Sequence, residues 1–74
     1  MAAVLHLLKG ADAALARTVI EQQVGAGDRV TVALLPGATA PALPPGVTIR
    51  RVSSDLSYAA LLDLIFEADH VLTW

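Results

Sequence analysis

The sequence predicts a small α/β domain in three layers, with a mainly parallel four-stranded sheet. Three observations carry this. Short apolar runs of strand length recur along the chain, two amphipathic helical segments lie between them, and glycine or proline closes most of the runs. Seventy-four residues suffice for one domain, so 1–74 is read as a single unit near the lower size limit for one hydrophobic core.

The first run, Ala3–Lys9 (AVLHLLK), ends at Gly10 and is apolar on both faces, as a strand in a covered parallel sheet must be. Asp12 is placed to cap the helix that follows. In that helix Leu15, Ala16, Val19, Ile20 and Val24 share one side, and Arg17, Glu21 and Gln22 the other. Gly25 and Gly27 stop it. The β-branched run within Asp28–Gly37 is a second strand, closed by Pro36 and Gly37. GATAPALPPG then stands where an alternating chain would place a helix. Its tandem prolines forbid one, so this crossover is expected to be an ordered or extended loop. VTIRRV is a third strand. A second helix is expected over about Ser57 to Ala68, burying Tyr58, Leu61, Leu62, Ile65 and Phe66 and carrying Leu64 on its far side. HVLTW closes the chain as a fourth strand. Parallel strands joined by right-handed crossovers make this a minimal Rossmann-like domain.

The composition narrows the function. Hydrophobic residues make up 55% against 16% charged, although fourteen of the former are alanines. So small an interior cannot hide every large apolar side chain, and an exposed patch that meets a partner is expected. Net charge is −2, with scattered charges, so no nucleic-acid footprint and no basic membrane patch is seen. There is no cysteine, hence no disulfide, thiolate nucleophile or sulfur ligand. The uncharged stretch Val30–Ile49 is broken by prolines and glycines and cannot be a membrane helix. The apolar start lacks the basic region of a signal peptide. The expectation is a soluble, cytoplasmic protein with no cofactor.

Ligands of open α/β sheets gather beyond the carboxyl ends of the strands. Here those ends bring forward Gly10, Gly37, Arg51 and Ser54 as a weak ligand-binding set for a small anion. A lone Gly10 is no dinucleotide fingerprint, and Asp12 would repel a phosphate there. His6 and His70 have no converging ligands, so no metal site is expected, and His6 is read as a core residue with hydrogen-bonded ring nitrogens. Arg50 and Arg51 fall on opposite faces of their strand, as on an edge. The serines around Asp55 suit helix capping better than catalysis, and no catalytic residue is assigned. Tyr58, Leu64 and Trp74 are the candidate interface residues. Trp74, at an apolar strand end, is expected to anchor a partner-covered edge or to cover the domain's own core.

The opening strand with Leu5-His6 and the closing stretch SYAALLDLIFEADHVLTW resemble the DsrH/TusB-like sulfur-relay proteins of the DsrEFH-like superfamily. The matching positions are Leu5, His6, Tyr58, Asp63, Leu64, Asp69 and Trp74. The middle departs from the family: Leu35-Pro36-Gly37 stands for an acidic-glycine segment, the proline loop replaces a helix and a strand, and Gly10-Ala11 replaces a Ser-Pro. The resemblance implies a subunit that assembles with sister DsrE/DsrF-like subunits to pass persulfide sulfur, toward tRNA wobble-uridine 2-thiolation or sulfur oxidation. Relay chemistry needs a thiolate. Without cysteine, this chain's implied role is that of a non-catalytic subunit. The alternative is a homo-oligomeric α/β module that binds a small anionic ligand at its strand ends.

Overall fold

A computed structural model describes residues 2–10, 13–38, 42–52, 54 and 56–74. Four strands, β1 (Ala3–Leu8), β2 (Arg29–Leu34), β3 (Thr48–Arg51) and β4 (His70–Thr73), and two helices, α1 (Ala13–Gly25) and α2 (Tyr58–Glu67), follow in the order β1-α1-β2-β3-α2-β4. The sheet is parallel throughout, in the order β3-β2-β1-β4. This is the expected α/β architecture. No helix of the described residues is long and apolar enough to cross a membrane.

The most apolar strands occupy the middle. Val4, Leu5, His6 and Leu8 of β1 and Val30, Val32, Ala33 and Leu34 of β2 are buried, whereas all four residues of β3 are exposed. Alternation along each strand divides the core in two. On one face Leu8, Val30, Val32 and Leu34 pack against Ala16 and Ile20 of α1, with Leu43 and Val47 of the proline-rich crossover beside them. On the other, Leu5 and Ala33 meet Leu61 of α2 together with Val52 and Leu56. The described residues of the loop crossover therefore pack on the α1 face.

Both helices sit differently from the sequence reading. Leu15, expected on the buried side of α1, is exposed. In α2 only Leu61 is fully buried. Leu64 and Ile65 pack against the core, while Tyr58, Leu62 and Phe66 are 61%, 55% and 83% exposed. Leu64 was expected on the far side, and the structure corrects this. Ala60 and Ala68 flank Leu61, Leu64 and Ile65 on the face that the helix lays on the sheet. A helix apolar on most of its circumference leaves this choice to packing. Ser57 caps α2, its Oγ accepting from the Ala60 N–H at 3.1 Å. The Asp12 cap proposed for α1, and the roles of Ser53 and Asp55, lie outside the described residues.

Candidate functional site

The strand-end set comes together. Gly10 has φ +98°, and a Cβ there would lie 3.4 Å from the Gly37 carbonyl oxygen, so the loops after β1 and β2 touch. Gly37, with φ +88°, occupies a turn in which the Ala38 N–H donates to the Leu35 carbonyl at 2.9 Å. Arg51 and Ser54, from the end of β3, line a cavity of about 140 Å³ with Gly37 and Pro36. Gly37, Arg51 and Ser54 thus share one cavity at the carboxyl edge, and Gly10 lies against Gly37 beside it. The volume is well below the few hundred Å³ of a metabolite pocket, so only a group the size of an inorganic anion fits.

A larger groove of about 230 Å³ lies near the opposite end of the strands, between the beginnings of β1 and β2 and the last turn of α2. Arg29, Thr31, Leu64 and Glu67 contribute to it. It lies on the α2 face of the sheet, where Arg29 and Thr31 of β2 stand beside the last turn of that helix. Its sequence signal is the polar alternation of Arg29 and Thr31 against Val30 and Val32, which the strand-end rule passes over. Leu64, proposed for an interface, is a wall of this groove and a core contact.

His6 is completely buried and engages two side chains from distant parts of the chain. The Trp74 indole N–H donates to His6 Nδ1 at 2.9 Å, and His6 Nε2 donates to Gln23 Oε1 at 2.6 Å. Because an indole nitrogen can only donate, Nδ1 must be the bare acceptor and Nε2 carries the proton. The ring planes lie 13° apart with centroids separated by 6.1 Å. With the nitrogens in hydrogen-bond contact, the rings meet edge to edge near one plane. Burial holds the His6 pKa below its usual value, although the Gln23 hydrogen bond opposes this. A neutral imidazole with both nitrogens engaged has no proton acceptor left for a substrate. The expected core histidine is therefore what the structure contains, and Trp74 packs against the domain's own core cluster that includes Leu8 and Ile20.

The remaining feature is a surface. Tyr58, Leu62 and Phe66 follow at intervals of four and form one exposed apolar stripe along α2. The edge strand β4 lies next to β1 and carries the exposed Val71. Tyr58, proposed as an interface residue, belongs to this stripe. The sequence reading missed Leu62 and Phe66 by assigning them to the core. Arg50 and Arg51 lie on the opposite edge strand, where their exposure matches the edge reading. Among the described residues no group of acidic, histidine or cysteine side chains could hold a metal ion.

These features define a small parallel α/β domain with one apolar outer helix face and a strand-end anion-sized cavity. Compared with family models, curated proteins and solved structures, the chain finds no significant match to any of them.

Proposed function

We propose that the protein acts by assembly, as a non-catalytic subunit of a larger complex, and that the complex is a sulfur relay of the kind its terminal segments resemble. The observation that carries the assembly reading is the Tyr58–Leu62–Phe66 stripe. Three large apolar side chains exposed side by side on one helix of so small a domain are a contact surface in search of a cover. The relay part rests on the resemblance of residues Leu5-His6 and Tyr58–Trp74. With no cysteine in the chain, persulfide sulfur would be carried by thiols of sister subunits, and this chain would shape the assembly around them.

Native mass spectrometry of the protein drawn gently from its own cells tests this. Co-purification with two larger cysteine-bearing subunits is the expected result. Recovery alone, or only with copies of itself, would overturn the relay reading.

The convergence of Gly10, Gly37, Arg51 and Ser54 favours a second reading, a module that binds a small anion at its strand ends. Titration with inorganic sulfate or phosphate, followed through the amide resonances of Gly10, Gly37 and Ser54, would show saturable shifts if this is so. Shifts that stay linear with salt would remove it.

A further inference from the structure

We infer that the occupant of the α2 stripe is a second copy of this chain, paired through β4 about a two-fold axis at Leu72. The inference rests on reading the stripe as a protein contact and does not depend on sulfur chemistry.

The backbone of β4 supplies the first argument. Trp74 bonds to β1 through both of its backbone groups: its N–H donates to the Leu7 carbonyl at 2.9 Å, and its carbonyl accepts from the Lys9 N–H at 3.3 Å. Successive residues of a parallel strand turn their backbone groups to opposite edges. Thr73 and, by alternation, Val71 therefore direct N–H and C=O outward, where the sheet order places no further strand. An antiparallel pairing centred on Leu72 sets Val71 of one copy against Thr73 of the other. Each outward donor then meets an outward acceptor. Two four-stranded sheets become one of eight strands.

Charge supplies the second. The other edge strand, β3, carries Arg50 and Arg51, and a two-fold there would bring arginines of two copies together. Joining β3 to β4 of a neighbour would leave open edges and a growing sheet rather than a closed pair. From Val71 to Trp74 there is no charged side chain, and a two-fold at Leu72 sets His70 opposite the uncharged Trp74 side chain of the other copy, so β4 is the edge that a two-fold tolerates.

Continuity supplies the third. Leu61, Leu64 and Ala68 turn toward the sheet, and helical geometry then sets Tyr58 on the flank away from the Glu67 side that borders β2, with Leu62 and Phe66 turned progressively outward from that flank. On that flank lies β4 with exposed Val71. Strand pairing through β4 therefore brings the two stripes to the same side of the joined sheet, where they can cover each other across the axis.

Sedimentation velocity of the purified chain over a wide concentration series tests the inference. The expected result is a reversible dimer. Thr73→Pro deletes one outward N–H without touching the bonds to β1, and Leu62→Glu places a charge in the stripe at a position exposed in the single chain. Each should raise the dimer dissociation constant at least about tenfold while the helical circular dichroism stays unchanged. Should Thr73→Pro fold poorly, Leu62→Glu decides alone. Ile49→Glu, on the β3 edge, should leave the dimer intact. A wild-type chain that stays monomeric at every concentration overturns the inference but leaves assembly with sister subunits standing. A dimer that survives both Thr73→Pro and Leu62→Glu, or one lost with Ile49→Glu, overturns it as well.

Discussion

The indole of Trp74 and the imidazole of His6 share one hydrogen bond, 2.9 Å long, across 68 positions of sequence. It ties the last strand to the first through side chains as well as through the ladder, and it makes the protonation of His6 a matter of stability. Protonation at Nδ1 would set a second N–H against the indole N–H in a site that excludes water.

The sign of the resulting pH dependence follows from the lowered His6 pKa. The unfolded chain takes up a proton near pH 6.5, the folded chain only at lower pH. Stability from neutral His6 is thus fully present above about pH 6.5 and falls as the pH drops toward the folded pKa, below which this group causes no further loss. Urea unfolding from pH 7.5 downward should show the decline beginning near 6.5. In a His6→Gln variant that slope should vanish, and an unchanged slope would assign it to other groups.

Replacing Trp74 by phenylalanine keeps an aromatic ring over the core and removes only the donor. Nδ1 of His6 is then buried without a partner, which costs about 1–3 kcal/mol. Trp74→Ala removes the packing against the α1-face core cluster as well and should cost more. If chemical denaturation gave Trp74→Phe wild-type stability, the hydrogen bond would have no energetic role.

The two faces of α2 make opposite predictions for neighbouring leucines. Leu61 is buried against Leu5 and Ala33, so Leu61→Ala should cost about 2–5 kcal/mol. Leu62 is 55% exposed, and Leu62→Ala should change monomer stability by less than about 0.5 kcal/mol. Thermal unfolding of dilute samples separates them, and equal losses would place Leu62 in the core.

This contrast also marks how far the sequence could be read. Strand identities followed from runs such as AVLHLL and RVTVAL, where burial on both faces leaves little choice of residue. The loop crossover followed from Pro44-Pro45, and the cap from Ser57. The rotation of α2 did not follow. Leu61, Leu62, Leu64, Ile65 and Phe66 offer apolar side chains around most of the helix, and which of them meets the sheet depends on how closely Ala60 and Ala68 let the helix approach. The strand-end set was legible because Gly10 and Gly37 mark the turns. The groove beside Arg29 was not, because it depends on where the last turn of α2 settles on the sheet and no residue motif announces that.

Two glycines give the last test, since they differ in what they are for. Gly10 has a φ of +98°, so a methyl group there meets backbone strain, although at 3.4 Å it would only touch the Gly37 carbonyl oxygen. Gly10→Ala should destabilise by about 1 kcal/mol or more and disturb the contact between the first two strand-end loops. Gly25, the last residue of α1, has open space around its would-be Cβ and no positive φ. Gly25→Ala should stabilise by about 0.4–1 kcal/mol, chiefly by restricting the unfolded chain. Urea denaturation of the two variants side by side should show midpoints moving in opposite directions. A midpoint for Gly10→Ala at or above wild type would mean that the turn at Gly10 relaxes out of its positive φ, and the strand-end cavity would lose the rigid frame on which anion binding there depends.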